Sequence, residues 1–355
     1  MRKKKVLFIG GSLNQTTIAH AIAQHLEDSY SCWFTPYYCD GLLRRLSKHG
    51  LAEFTSLGGS MRAMTLEYIR DNGLRLDDGG NEHDYDLVVT TSDLIVQKNI
   101  RNKKIVLVQE GMTDPENFMY YLVKSLRLPR YLASTSATGL SDAYDAFCVA
   151  SEGYRNLFIK KGAKPHKLKV TGIPNFDNAK QYLNNNYPHQ GYVFVATSDA
   201  RETLKYDNRK KFLQRVVEIA GNRQLIFKLH PNERVARATN EIQSIAPDAM
   251  ICTQGNTNHM IANCEVLITQ YSSCAYVGVA LGREVYSYFD IEELRRLLPM
   301  QNGGRSAYNI AKVCRREMES RSQKTYKTRA FSQWRNMNPI RPLFAYNEDN
   351  HRYSG

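Results

Sequence analysis

The stretch "LIFKLHPNE", residues 225–233, decides how this chain is read. Leu225-Ile226-Phe227 is an apolar run of strand type, which gives way past Lys228 to His230-Pro231-Asn232 and then to a helical stretch. A buried strand that ends on a histidine beside a proline stands where α/β folds hold ligands, at the carboxyl end of the strand. The plainer reading is a turn whose histidine has no chemical role, and a short motif alone does not separate the two.

Outward from this stretch, similar runs recur at intervals too long for hairpins: KVLFIG, YDLVVTTS, KIVLVQEG, AFCVAS, LKVTG, YVFVATS, AMICTQG, VLITQYSS and EVYSYF. Amphipathic stretches such as TTIAHAIAQHLEDS, NRKKFLQRVVEIAG and RATNEIQSIA lie between many of them. Strands alternating with helices build parallel sheets from βαβ units. The pattern runs from Val6 to Thr171, passes through the Asn- and Pro-rich IPNFDNAKQYLNNNYPHQG, and starts afresh at Tyr192. The expected fold is α/β, two Rossmann-like domains with parallel sheets facing a central cleft. Residues 1–175 form the acceptor-side domain, 176–190 the linker and 191–320 the nucleotide-donor domain. A basic tail, 321–355, lacks a strand pattern and is expected to pack back on the first domain, with its last residues loose.

The 355 residues are 42% hydrophobic, and no stretch has the apolar length of a membrane-spanning helix. The basic start MRKKKVLFIGGS resembles a signal peptide only until Ile9, where the apolar piece runs into glycines. It reads as a first strand, so a cytoplasmic protein is expected. Seven cysteines, odd in number and without CxxC or zinc spacing, read as reduced, mostly buried thiols. The net charge of +13 suits nucleic acid, an anionic lipid surface or phosphate-bearing small molecules. No zinc-finger spacing or RRM-type aromatic signature is present, so no nucleic-acid partner is expected. The densest basic segment, Arg315 to Arg329, is expected to favour the inner face of an anionic membrane or a phosphate-rich acceptor. A solvated basic face is the plain alternative.

Several strand ends carry candidate chemistry. In FIGGSLNQTT, Gly10 and Gly11 let backbone approach a ligand, and Ser12 and Asn14 can donate to it at a helix N-terminus. The turn is not GxGxxG and has no acidic partner for a dinucleotide. In KIVLVQEG, Glu110 ends a strongly apolar strand, where a carboxylate can take a proton from an acceptor hydroxyl. Helix capping or a lysine pair is its structural alternative, and Asp93 at the preceding strand end is the weaker candidate. Gly172 and Pro174 shape the crossing between domains. Thr197-Ser198 ends another strand, while Ser272 and Ser273 stand at a helix N-cap with hydroxyls and N–H groups available to a phosphate. No divalent-metal motif of the DxD kind is clearly placed, so no metal is expected.

Taken together, the motifs resemble the two-domain glycosyltransferase fold called GT-B. Within it they are similar to non-hydrolysing UDP-N-acetylglucosamine 2-epimerases and to bacterial capsule, teichoic-acid and sialic-acid-type transferases. KLHPNE resembles their HP motif, and ASEGYRNLFIKKGAKPHKLKVTGIPNFD resembles the segment that closes the first domain in the epimerases. LITQYSSCAYVGVALGREV is similar to a TDYSS region, and VQEG to the acidic-acidic-glycine motif that supplies the base in sialyltransferases. The resemblance implies Glu110 as base, His230 and Pro231 with Lys228 at the departing phosphate, and Ser272 and Ser273 as its binding turn. It implies a nucleotide-sugar donor, a glycan or lipid-linked acceptor, and no cofactor. The chain departs from the epimerase pattern in three places. It has Gly11-Ser12-Leu13 for an arginine, TSDARE for a histidine, and Ala275-Tyr276 for a glutamate. Gln109 replaces the first acid of the acidic motif.

Overall fold

The computed structural model describes residues 3–40, 59–202 and 207–320. The first half alternates β1 (Lys5–Gly10), α1 (Leu13–Gln24), β2 (Ser31–Pro36), α2 (Gly59–Asp71), β3 (Leu87–Thr90) and β4 (Lys104–Val108). It continues with α3 (Phe118–Leu126), β5 (Ala146–Val149), α4 (Glu152–Lys161) and β6 (Leu168–Val170). The second half runs β7 (Tyr192–Ala196), α5 (Arg209–Ala220), β8 (Leu225–Lys228), α6 (Val235–Gln243), β9 (Met250–Cys252) and α7 (Thr257–Asn263). It ends with β10 (Cys264–Thr269), α8 (Cys274–Ala280), β11 (Glu284–Tyr286), α9 (Ile291–Leu297) and α10 (Ser306–Glu319).

Two all-parallel sheets result, one of six strands ordered β2-β1-β3-β4-β5-β6 and one of five ordered β11-β10-β7-β8-β9. Helices cover both faces of each sheet. That is why Val6–Ile9, Ile105–Val108 and Val193–Val195 can be apolar without alternation, every residue buried. The order turns back on itself between β1 and β3 in the first sheet, and between β7 and β10 in the second. Open α/β sheets leave a crevice at such points, beyond the carboxyl ends of the strands. Strand β2, "SCWFTP", has no counterpart among the apolar runs of the sequence. It is the outermost strand of the sheet, paired to β1 and bridged on its other side only at Phe34 to Leu76 among the described residues, and its Ser31 and Trp33 are half-buried, which blunts the apolar signal.

The two halves are tied by both crossings of the chain. At the first, Gly172 takes a positive φ of 76°, and a Cβ there would lie 2.2 Å from Ser306 Oγ. At the second, the Ser306 amide donates to buried Asp177 Oδ2 at 2.8 Å, and the Asn302 and Gly303 amides donate to the Asp177 carbonyl. Helix α10 then packs on the first sheet through Ile310, Ala311, Cys314 and Met318. The element that returns to the first domain is therefore α10, inside 191–320, while the tail 321–355 lies outside the described residues. Of the basic segment, Arg315 donates to the His25 carbonyl, Arg316 is exposed, and positions from 321 onward lie outside the description.

A second contact closes the domain interface. A Cβ on Gly153 would sit 1.9 Å from the Arg296 carbonyl, so the start of α4 meets the end of α9 backbone to backbone. Beside it the hydroxyls of Tyr154 and Tyr276, both buried, share a 2.6 Å hydrogen bond. Burial pushes the Tyr154 hydroxyl up to about 12 and that of Tyr276 higher still, so the pair stays protonated. Removing one partner takes this hydrogen bond from the other's buried hydroxyl, although that of Tyr154 keeps a backbone hydrogen bond with Thr113. Tyr276→Phe should cost about 1–3 kcal/mol in urea unfolding. Combining it with Tyr154→Phe should cost less than the sum of the two. Additive losses would mean that the hydroxyls do not act as a pair.

Candidate functional site

The turn after β1 holds a carboxylate of the protein itself. A Cβ on Gly10 would meet Thr16 Oγ1 at 2.7 Å, so glycine lets α1 start directly over the strand end. Ser12 is the N-cap of α1, its Oγ accepting the Gln15 amide at 3.2 Å. The Gly11 amide donates to Gln15 Oε1 at 2.7 Å. The outward donors of the turn converge on Glu110 at the tip of β4. Ser12 Oγ and Asn14 Nδ2 donate to Glu110 Oε1 at 3.3 and 3.0 Å, and Gln15 Nε2 donates to Oε2 at 2.6 Å. Gly11, Ser12 and Asn14, expected to bind substrate, are here engaged within the protein: the Gly11 amide on Gln15, the Ser12 and Asn14 side chains on Glu110. The Ser12, Asn14 and Gln15 side chains satisfy an internal carboxylate. They fix the orientation of Glu110, and a carboxylate with about four acceptor positions keeps one beyond these three hydrogen bonds.

Gln109, in place of an acid, is buried and accepts the Ala150 amide at 2.9 Å while donating to the Gly111 carbonyl at 2.8 Å. Asp93 is no reacting group either. It is buried, and its two oxygens accept the Gly139 and Ser141 amides at 2.9 and 3.0 Å.

In the second sheet the HPNE stretch folds as a reciprocal turn. The His230 amide donates to Glu233 Oε2 at 3.0 Å, and the Glu233 amide donates to the His230 carbonyl at 3.0 Å. Thr197, at the tip of β7, donates to the same carboxylate and accepts the His230 amide at 3.0 Å. Arg209 on α5 pairs with Glu233 at 2.5 Å and with Asp207 at 3.2 Å, all three side chains buried. On the His230 ring, Nδ1 accepts the Asn232 amide at 3.2 Å and lies 3.7 Å from Asp199. An acceptor at Nδ1 leaves the proton of the neutral ring on Nε2, the form that donates to a ligand oxygen. Pro231 follows as the second residue of this turn, where its fixed φ suits the bend.

At the β7/β10 reversal, Ser198 Oγ donates to Gln270 Oε1 at 2.6 Å, joining the strand tips that flank the crevice. Ser272 and Ser273 follow on the β10 side, both half-buried. Ser273 is the N-cap residue of α8 but has φ −67° and ψ −13° and makes no capping hydrogen bond; Ser272 Oγ accepts the Cys274 amide at 3.4 Å. His230 and the serines lie at the same sheet edge, two strands apart, on the order of 10 Å. Lys228, expected at a leaving phosphate, here donates through Nζ to the Leu229 and Thr253 carbonyls at 3.2 and 2.8 Å.

The two edges are linked by a short aromatic bridge. Phe176, on the first crossing, lies 3.6 Å from where a Cβ on Gly111 would be. Its ring centroid is 6.1 Å from that of Tyr276, on the helix that follows the serines. Asn175 beside it donates to Asn14 Oδ1, so the crossing also holds the residues that hold Glu110. Gln15, Asn175, Glu233 and Arg209 escaped the sequence reading. Only Glu233, three residues past His230 in a capping-box spacing, had a local signal. Among the described residues no group of three His, Cys, Asp or Glu side chains is placed to hold a metal ion, and no helix is long and apolar enough to cross a membrane.

No protein-family model and no curated protein matches the chain. Solved structures do. A Listeria monocytogenes protein provisionally described as a UDP-N-acetylglucosamine 2-epimerase superposes with a TM-score of 0.56 at 13% identity, over 91% of this chain and 99% of that one. The Neisseria meningitidis UDP-GlcNAc 2-epimerase bound to UDP-GlcNAc gives 0.53 at 12%, over 88% and 100%. The S. aureus MnaA–UDP structure gives 0.52 at 12%, over 89% and 88%. At these identities the likeness is one of fold: the chain has the two-domain GT-B architecture.

Proposed function

We propose that the chain is a metal-independent GT-B transferase that moves a sugar, or a related phosphate-linked unit, from a nucleotide donor to a hydroxyl of a surface glycan or its lipid-linked precursor. The clasp of Glu110 by Ser12, Asn14 and Gln15 carries this reading. It aims a carboxylate at the rim of the first sheet, where a general base must be rigid before it is useful. Across the crevice, Nε2 of His230 and the serine hydroxyls supply donors for the oxygens of a departing phosphate, which is electrostatic stabilisation of developing charge. The work is cytoplasmic in this reading, since nucleotide donors are made there.

Sugar-nucleotide epimerisation is the second reading, favoured by what the neighbouring structures are described as. Against it, Tyr276 stands where the epimerase pattern has a glutamate and is committed to Tyr154, so no carboxylate is available at that position to hold a ribose. A binding protein that has kept the fold and lost the chemistry is the third.

The test is incubation of the protein with UDP-, CDP- and CMP-linked sugars in D₂O, read by mass spectrometry. The transferase reading expects no deuterium in the recovered donor, and product only when an acceptor is added. Deuterium entering the sugar without acceptor identifies an epimerase. Donor that raises the melting temperature by mass action yet never turns over identifies the binding protein. For the phosphate position, Ser272→Ala with Ser273→Ala should weaken nucleotide binding in calorimetry by about tenfold, the order of one or two hydrogen bonds to a charged group. Unchanged affinity with an intact fold removes the serine turn from the site.

A further inference from the structure

The connection from β4 to β5 leaves the sheet at Glu110 and makes an excursion before it returns at Ala146. Helix α3 turns Tyr120 and Val123 inward, onto Ala133, Ala137 and Leu140. At 100° per residue, Phe118, Tyr121, Leu122 and Leu126 then fall on the opposite side. Phe118 is 77% exposed, Leu126 61% and Tyr121 53%, and Tyr131 and Leu132 on the following turn are exposed at 38% and 44%. Large apolar side chains this exposed, side by side, mark an interaction surface.

The charges around the patch point to its partner. Residues 117–141 contain Lys124, Arg127 and Arg130 and no acid. Lys124 and Lys161 place their ammonium groups 5.6 and 5.2 Å from the ring centroid of the inward-facing Tyr120; Lys161 is buried, which leaves half-buried Lys124 and exposed Arg127 as the cations that reach solvent beside the helix. Glu116, just outside, accepts from the Tyr121 hydroxyl at 3.1 Å. Aromatic and leucine side chains flanked by Lys124 and Arg127 suit the interface of a bilayer with anionic headgroups, which takes the apolar groups into its acyl boundary and pairs with the cations.

We propose that this face, centred on Phe118, Tyr121, Leu126 and Leu132, docks the protein on an anionic membrane surface. The docking segment grows out of the strand tip that bears Glu110, so it seats the first-domain rim at the bilayer. The surface differs from the basic segment Arg315–Arg329 and does not depend on the chemistry at Glu110.

The full chain is spun with vesicles of phosphatidylcholine alone and of phosphatidylcholine mixed with phosphatidylglycerol. Partitioning into the mixed vesicles is expected, falling as salt is raised because the charge contribution is screened. Phe118→Ser with Leu126→Ser, both exposed and so compatible with folding, should lower the partition coefficient by about tenfold or more while circular dichroism and melting stay as in the parent. Arg127→Gln should weaken binding to mixed vesicles only. The proposal is overturned if the parent ignores anionic vesicles. It is equally overturned if the double serine variant binds them as the parent does, which assigns binding to the basic segment. A third overturning result is self-association of the parent without vesicles that the double variant abolishes, which makes the face a contact between copies. Partitioning is read without turnover, so this result and that of the transfer assay stand or fall separately.

Discussion

Glu110→Gln should lower the rate of transfer by about 100- to 10,000-fold while nucleotide affinity stays at the parent value. The size follows from the role, since a positioned general base contributes on that order. The unchanged affinity follows from location: Glu110 ends β4 in the first sheet, while the proposed phosphate donors end β8 and β10 in the second. The substitution also has a local cost. Ser12, Asn14 and Gln15 all donate to Glu110, and a glutamine presents one acceptor oxygen and an amide that faces another donor. Gln15 cannot reverse its amide without abandoning the Gly11 N–H. A melting curve therefore accompanies the kinetics, and a modest loss of stability of about 1–3 kcal/mol is expected with it. Stability lost without any loss of turnover would make the carboxylate an anchor for the first turn and nothing more. That outcome would sink the transferase reading in its present form.

Arg209→Met should cost about 3–5 kcal/mol in urea unfolding, the largest stability effect of any single side-chain truncation named here. Arg209 is 6% exposed and bridges Glu233 and Asp207, whose side chains are fully buried. Without the guanidinium, Asp207 keeps Arg201 at 3.5 Å and the Gln270 amide at 2.7 Å. Glu233 keeps only neutral donors among its hydrogen bonds, the Thr197 hydroxyl and the His230 amide. A buried charge left with neutral partners is strongly destabilising, whereas removing an exposed cation is not. The control is Arg295→Ala, an exposed partner of Glu292, with an expected cost below about 0.5 kcal/mol. Glu233 also fixes the turn that carries His230, so the variant should weaken nucleotide binding even at temperatures where it remains folded. Equal stabilities for the two variants would show that the network carries no net weight.

Much of the candidate site was legible in one dimension because strand ends announce themselves. A continuous apolar run that stops on a polar residue marks both a parallel strand and its exposed tip, which is how Glu110, His230 and Ser272 became candidates. The same reasoning does not separate these from a polar residue at a strand end that serves the fold. Asp93 and Lys228 have the positions of site residues, yet their charged groups serve backbone amides and carbonyls. Nothing local distinguishes a carboxylate that faces a crevice from one that caps a loop, because the difference lies in which amides the chain brings back to it.

Residue order by itself determined the α/β class, the two parallel sheets and the restart near Tyr192, since each depends on apolar period and spacing within one short stretch. Tertiary structure alone decided that the donors of the first turn hold Glu110, nearly a hundred residues away, that Arg209 neutralises Glu233, and that Tyr276 spends its hydroxyl on Tyr154. It also decided that α10 belongs with the first sheet. The physical reason is common to all four. Burial makes a polar group find a partner and an apolar face find a neighbour, and strand order, which is a property of the whole sheet, determines which partner is within reach.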